Sequence, residues 1–174
     1  FCEWVFQDCH YGSTFVFHNG RSYDFHFIRL YVLRRETDWN MSCLRRGMKL
    51  TTLTVGPKAV SSQARNIIHF VDSLSFLTSS LAALARTYGL KDKGYFPHRL
   101  NDIRHREKAR GMTTLPDKKY YYDEGSPAFE RWHAHHTAMG TPWDFDGEME
   151  RYCRNDVDIL RQVFHTFREK IVSE

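Results

Sequence analysis

The sequence has no long apolar run, no paired cysteines and no strong excess of charge of one sign. No apolar stretch reaches the ~18 residues of a membrane-spanning helix, and no basic-then-apolar leader indicates secretion. The four cysteines form no Cys-x-x-Cys pair, which favours buried thiols in a reducing, intracellular compartment over a disulfide framework. Lys and Arg total 25 against 21 Asp and Glu, so the charge permits a polyanionic partner without requiring one.

The composition is that of a folded protein with many aromatic rings. The 174 residues are 41% hydrophobic and 15% aromatic, which is enough for one domain with a sizeable core. The chain opens without an initiator Met, and Phe1, Val5 and Phe6 are spaced like the inner side of a helix. We therefore expect a single domain, residues 1–174, that is a fragment of a longer protein and begins inside a structural element.

Hydrophobic periodicity predicts mixed strands and helices, and hence an α/β or α+β fold. Strands are predicted at 13–19, 48–55 and 66–73, with GPKAVSSQ (56–63) as the turn between the last two. Helices are predicted at 2–9, 23–35, 78–90, 127–136 and 147–171. Residues 91–125 are rich in charge, Gly and Pro, and predict a long irregular connection of the kind that is usually functional or mobile.

The segment FHNGRSYDFHFI (17–28) mixes polar groups with residues suited to a buried element. Burying an unpaired polar group costs roughly 1–3 kcal/mol, and an unpaired charge costs more. Asp24, at the junction of a predicted strand and a predicted helix, therefore needs a hydrogen-bond network, a cation or a position at the mouth of a cleft.

A second acid interrupts the apolar stripe of the last helix. The stripe consists of Met149, Tyr152, Cys153, Leu160, Val163, Phe164, Phe167 and Ile171. Asp156 lies in its middle, one turn after Tyr152, whereas Asp158 points elsewhere and can be solvated. One buried Asp is more often paired with Arg or bonded to the backbone. Two acids, each beside a Tyr, favour a site for hard divalent cations such as Mg²⁺, with the Tyr152 hydroxyl orienting a water.

Four short motifs, in order, resemble the exonuclease region of family B DNA polymerases. HNGRSYD (18–24) resembles the second exonuclease motif, and YCRND (152–156) resembles the third, Tyr-x3-Asp. DSLSFL (72–77) resembles the Ser-Leu motif that contacts single-stranded DNA, and KGYF (93–96) resembles the Lys-x2-hydrophobic motif. KGYFPH and DVDIL are similar to the protein-primed branch of viruses, organellar linear plasmids and large DNA transposons. The resemblance runs from about Trp4 to Phe167.

The resemblance implies an α/β, RNase H-like exonuclease fold, with a mixed sheet flanked by helices, that removes mismatched primer 3′ ends with two Mg²⁺ or Mn²⁺ ions. It implies Asp24 and Asp156 as metal ligands, Tyr152 as the water-orienting residue and Lys93 as the cation that stabilises the scissile phosphate. The residues that it implies for binding the frayed single-stranded 3′ end are His18, Asn19, Tyr23, Phe27, Ser73 and Leu74. The implied partners are single-stranded DNA, the rest of the polymerase chain and a terminal priming protein. The resemblance is compatible with a location in the nucleus, in an organelle or at a viral replication site.

The first motif of that family, Asp-x-Glu on the central strand, has no match before Asn19. Glu3 and Asp8 lack the pattern. Either the chain is a decayed relative, or it is truncated after that motif, which the start inside an element favours. Truncation would also remove the central strand of the sheet. Asp24 and Asp156 alone should bind a metal pair poorly, so the 174 residues by themselves are expected to be inactive.

Other interpretations stay open. An RNase H-like module could bind nucleic acid without cleaving it, or the chain could be a metal-dependent nuclease acting on RNA. HAHH (133–136), together with His165, could suggest zinc, but a surface histidine cluster fits the spacing better. RHREKAR (104–110) could contact phosphates or simply be solvated. Ser73 could be a helix cap, and Lys93 a solvated loop residue.

Overall fold

The computed structural model describes residues 1–35, 39–58 and 66–173. The chain forms two compact units, Phe1–Ser79 and Ser80–Glu174. The first unit contains the helices α1 (Cys2–Val5) and α2 (Asp24–Arg34) and the strands β1 (Thr14–Phe17), β2 (Trp39–Arg46), β3 (Lys49–Pro57) and β4 (Ile68–Asp72). The second contains the helices α3 (Leu81–Thr87), α4 (Arg106–Arg110), α5 (Pro127–Ala138) and α6 (Phe145–Val172). The expectation of one domain over residues 1–174 stays a prediction.

The strands of the first unit form one mixed sheet in the order β1-β4-β3-β2. β1 and β4 are parallel, and β4–β3 and β3–β2 are antiparallel. This mixed α/β architecture, with flanking helices, confirms the coarse fold class. The RNase H-like assignment within that class stays a prediction.

The core of the first unit lies where α2 packs against the sheet. Every second residue of β3 and β4 enters the core, as the period of a strand requires, and these residues are Leu53, Val55, Ile68 and Phe70, all fully buried. Phe25, Ile28 and Val32 come from one face of α2 at helical spacing, and all three are buried. Each such side chain contributes about 1.5–3 kcal/mol by leaving water. This packing fixes the direction in which α2 leaves the end of β1.

β2 is a strand that the hydrophobic pattern did not predict. WNMSCLRR contains no β-branched residue and ends in two arginines, so its intrinsic preference for a strand is weak. It forms because Gly47, at φ 62°, turns the chain back on itself and β3 supplies the paired edge. The predicted turn GPKAVSSQ, between β3 and β4, lies largely outside the described residues.

The second unit is built from helices and a packed irregular connection. α3 starts after Ser80, whose hydroxyl accepts the amide of Ala83, and the chain leaves the helix through Gly89 at φ 64°, as predicted. The connection 91–125 is irregular apart from α4 and short 3-10 turns. It is held in place because Phe96, Leu100 and Tyr121 are buried.

Some details of the second unit correct expectations. Val163 of the predicted stripe of α6 is buried, as expected, but Cys153 and Ile171 of that stripe are exposed, and Ile159, which lies outside it, is buried. His133 is buried, with Nε2 2.8 Å from the carbonyl of Pro116, and so is not part of a surface histidine cluster.

The cysteines and the opening helix agree only in part with the expectations from sequence. The four cysteines are free, as expected, but Cys9 and Cys153 are exposed rather than buried. The opening helix is shorter than predicted: α1 ends at Val5, and Asp8–His10 is a separate 3-10 turn. No helix in the described ranges combines the length and apolar character needed to cross a membrane.

Candidate active site

The first part of the candidate site is the turn between β1 and α2. β1 ends at Phe17, Asn19 adopts the left-handed conformation at φ 69°, and α2 begins at Asp24. A Cβ on Gly20 would lie 2.7 Å from the Cβ of Phe17, so only glycine fits at this position. The turn therefore places Asp24 in the first helical turn, where the dipole of a helix favours a carboxylate.

Asp24 is exposed, unlike the buried acid that its apolar neighbours suggested. Partial burial raises the pKa of its carboxyl, a hydrogen bond with its own backbone lowers it, and the charge of Asp72 raises it. Since the net direction is upward, the ionised form of Asp24 is disfavoured in the protein alone, as expected for a carboxylate without a cation.

Asp72 is the acid that is buried, and the sequence patterns did not single it out. It is 1% exposed and ends β4, directly opposite Phe17 in the register of the parallel pair. Its carboxylate accepts the backbone amides of Asn19 at 2.8 Å, Leu74 at 3.0 Å and Arg21 at 3.2 Å, and Arg21 Nε lies 3.5 Å from Oδ2. The available signal was an Asp at the end of a buried strand, within DSLSFL.

The predicted DNA-binding residues of the first unit divide into a bonded group and an exposed group. Ser73 is fully buried, and its hydroxyl donates to the carbonyl of Phe17 at 2.8 Å. His18 Nδ1 lies 3.0 Å from that hydroxyl, and Nε2 lies 3.0 Å from the carbonyl of Ser79. Leu74 is half-buried. The hydrogen bonds of His18 and Ser73 thus connect the end of β1 with the segment that follows β4.

The exposed group consists of Asn19, Tyr23 and Phe27. The side chains of Tyr23 and Phe27 are 71% and 66% exposed, one helical turn apart at the start of α2. Aromatic faces in this position can stack on unpaired bases without reading their sequence. Contact with DNA stays a prediction for all six residues.

The second part of the candidate site lies in the second unit, where Lys93 meets α6. Its Nζ lies 3.2 Å from Oδ2 of Asp156, and both side chains are partly buried. The same ammonium group lies 5.0 Å from the centre of the Tyr152 ring. The structure therefore brings together the three functional residues predicted in this unit.

The pKa values of all three side chains in this cluster are raised. Burial raises the pKa of Asp156, and the nearby ammonium of Lys93 offsets this only in part. Burial alone would lower the pKa of Lys93, but the neighbouring Tyr152 hydroxyl and the charge of Asp156 raise it overall. Burial also raises the pKa of Tyr152, so its hydroxyl keeps its proton at neutral pH.

His98, the last residue of KGYFPH, adjoins this cluster, and the motif predicts no role for it. Its ring lies edge-on to Tyr152, with the centroids 5.2 Å apart, and stacks on Tyr122 at 5.5 Å. Burial, followed by the charge of Lys93, lowers the pKa of His98. A largely neutral ring at this position can pack against Tyr152 and limit its movement.

Of the two predicted metal ligands, Asp156 has an oxygen suited to a hard divalent cation. Asp156 Oδ1 is buried and has no hydrogen-bond partner within the described ranges, so this oxygen is available to a metal ion. Those ranges contain no cluster of three or more His, Cys, Asp or Glu side chains that could hold a metal. Since Asp24 and Asp156 belong to different units, a metal site shared by them stays a prediction.

Comparison with known proteins identifies the family. The family model for DNA polymerase type B, organellar and viral, matches residues 10–174. A probable DNA polymerase of Ascobolus immersus is 23% identical over 180 residues, covering 98% of this chain, and one of Neurospora intermedia is 28% identical over 130 residues, covering 72%. No solved structure matches.

The matched region is a small part of each relative. The chain spans 14% of the Ascobolus immersus protein and 13% of the Neurospora intermedia protein. The family match includes HNGRSYD, DSLSFL, KGYF and YCRND, and so covers both parts of the candidate site. The chain belongs to the organellar and viral type B DNA polymerases.

Proposed function

We propose that these residues form the 3′–5′ proofreading exonuclease domain of a protein-primed DNA polymerase, which hydrolyses the terminal phosphodiester of a single-stranded primer end. Membership of the family implies metal-dependent chemistry on DNA. The observation that carries the exonuclease assignment is the cluster of Lys93, Tyr152 and Asp156. It combines a cation, a protonated hydroxyl and a carboxylate oxygen without a described partner.

Each side chain of the cluster has a role that its contacts support. Asp156 Oδ1 would bind a divalent cation, together with Asp24. The hydroxyl of Tyr152, which keeps its proton because burial raises its pKa, would orient a water. Lys93 would move from Asp156 towards the scissile phosphate, where negative charge develops in the transition state. Mg²⁺ or Mn²⁺, when bound, activates the water and stabilises the leaving 3′-oxygen.

The first unit would hold the substrate. Tyr23 and Phe27 present exposed rings for stacking on unpaired bases, next to Asn19. His18, Ser73 and Leu74 lie where the ends of β1 and β4 meet, and would shape the groove that receives the strand. The acids of the Asp-x-Glu motif would come from the intact polymerase, and the priming protein and the rest of that chain would be its partners.

The test measures degradation of a 5′-labelled single-stranded DNA by the intact polymerase, with Mg²⁺ and with EDTA. We expect Mg²⁺-dependent shortening from the 3′ end, which Asp24→Ala and Asp156→Ala each abolish. Asp158→Ala is the matched control, because Asp158 lies on the same helix but its side chain is 60% exposed. Faster cleavage of an RNA of the same sequence would favour an RNA nuclease instead.

A binding module without catalysis is the second candidate. Asp156 already has a protein cation, Lys93, at 3.2 Å, and this pairing could persist in a domain that has lost its metal. In that case the intact polymerase binds single-stranded DNA but never shortens it, and Asp24→Ala leaves the binding affinity unchanged. Cleavage that both alanine variants abolish contradicts this alternative.

A further inference from the structure

We propose that Asp72 is a positioning residue that fixes the turn His18–Ser22 and thereby places Asp24 and the groove residues on either side of it. This inference rests on the proposed function of the same site. No motif in the sequence assigned Asp72 a role, and it does not act on the substrate directly, because its carboxylate is 1% exposed.

The contacts of Asp72 reach both segments that line the proposed groove. One oxygen, Oδ1, accepts the amides of Asn19, in the turn, and of Leu74, after β4. The other, Oδ2, accepts the amide of Arg21 and lies near its guanidinium group. A single carboxylate therefore sets the spacing between residues more than 50 positions apart in the chain.

The turn needs such an anchor because its backbone is constrained and not part of a regular element. Asn19 is the one non-glycine residue of the described ranges with a positive φ. Gly20 passes so close to Phe17 and Phe25 that no side chain fits. Hydrogen bonds from amides to a buried carboxylate are stronger than bonds between neutral groups. They stabilise the conformation of the turn up to the start of α2.

The buried charge is itself compensated. Three amides and the cation of Arg21 surround the carboxylate, which is what a buried ionised group requires. In Asp72→Asn, the side chain keeps its size, but an NH₂ group replaces one oxygen. The NH₂ group cannot accept hydrogen bonds from the backbone amides that the replaced oxygen bound, so the turn loses at least one of its hydrogen bonds to residue 72.

Hydrogen–deuterium exchange of the intact polymerase tests the anchor independently of activity. We expect Asp72→Asn to speed exchange of peptides covering 17–24 about 10-fold or more. Leu53→Ala, which removes a fully buried side chain of the same unit, serves as the control for general destabilisation. In this control, the ratio between the exchange rate of these peptides and that of the rest of the first unit should not change. Unchanged exchange in Asp72→Asn overturns the anchor.

Exonuclease kinetics test the positioning role. We expect Asp72→Asn to lower kcat about 10- to 100-fold, because small displacements of a catalytic group cost about that much. Leu53→Ala should leave kcat unchanged when the assay temperature is well below the unfolding temperature of this variant. Faster exchange with an unchanged kcat overturns the positioning role but leaves the exonuclease assignment intact. Absence of cleavage by the unsubstituted polymerase contradicts the proposed function, while the exchange result still decides the anchor.

A second variant covers the case in which Asp72→Asn does not fold. Arg21→Gln keeps the backbone amides and removes only the guanidinium group near Oδ2. We expect a smaller fall in kcat, about 2- to 5-fold, with faster exchange of the same peptides. No change in either quantity overturns the proposal.

Discussion

At the scale of single residues, the fold raises the carboxyl pKa of both predicted metal ligands. The pKa of Asp24 and that of Asp156 are both raised, mainly by burial. A raised carboxyl pKa means that ionisation in the folded chain has a free-energy cost. Ionisation of these two carboxyls therefore lowers the stability of the metal-free protein, and a bound cation would offset this cost.

Asp24→Asn is expected to stabilise the metal-free protein at pH 7. Because the folded pKa of Asp24 lies above its unfolded value, its contribution to stability is present below the unfolded pKa and is lost as pH rises through the folded pKa. Asn avoids this loss. The gain should be about 0.5 kcal/mol or less, since solvent screens an exposed group.

Urea denaturation in EDTA, at pH 4 and pH 7, measures this effect. The gain of Asp24→Asn should be larger at pH 7 than at pH 4. Asp158→Asn is the control for replacing an exposed Asp by Asn. A variant that is less stable than the original protein at pH 7 without metal contradicts the account of Asp24.

Lys93→Met should shift the pH dependence of the proposed exonuclease. Lys93 lowers the pKa of Asp156, so its removal raises that pKa further and Asp156 ionises only at higher pH. The acidic limb of the pH–rate profile should move to higher pH, and the maximal rate should fall about 10²-fold. Arg154→Gln, which breaks only an exposed pair with Glu150, should leave the profile in place. An unshifted limb in Lys93→Met shows that Asp156 is not the ionising group.

At the scale of elements, the helices were predictable where local signals agree. α3 has both a Ser cap and a terminal glycine, and α6 has a long apolar stripe. β2 was missed because its pairing with β3, rather than its composition, makes it a strand. Asp72 was missed for the same reason: its amide partners Asn19 and Arg21 lie 53 and 51 residues away. Lys93, Tyr152 and Asp156 could be assigned because each belongs to a short motif.

The exposed rings at the start of α2 should contribute to binding of single-stranded DNA. Phe27→Ala removes a ring that is 66% exposed, and stacking is worth about 1–3 kcal/mol per base. We expect KM for a single-stranded oligonucleotide to rise about 5-fold or more, with little change in kcat. Leu30→Ala, at a 48% exposed position of the same helix, is the control. An equal effect of both variants contradicts stacking by Phe27.

The cap of α6 should stabilise the helix that carries Tyr152 and Asp156. Asp144 accepts the amide of Gly147 at 2.7 Å. Asp144→Ala should lower the free energy of unfolding by about 1 kcal/mol and increase hydrogen exchange in the first turn of α6. Asp158→Ala, farther along the helix, should do neither. Thermal denaturation with exchange measurements checks this, and an unchanged first turn contradicts it.

At the scale of the whole molecule, the proposed activity needs both units. Asp24 belongs to the first and Asp156 to the second. The family match spans both units, and its relatives are several times longer than this chain. We propose that the two acids act together on the metal in the intact polymerase.

Iron-mediated cleavage of the intact polymerase tests that claim most directly. Fe²⁺ replaces the divalent cation and reduces added hydrogen peroxide to hydroxyl radicals, which cut the backbone beside the bound metal. Ascorbate returns the resulting Fe³⁺ to Fe²⁺. The account predicts cuts near Asp24 and near Asp156, with both sets lost when either acid is changed to Ala and both kept in Asp158→Ala. Cuts near only one acid, or loss of only the local set in each variant, would contradict a shared metal site.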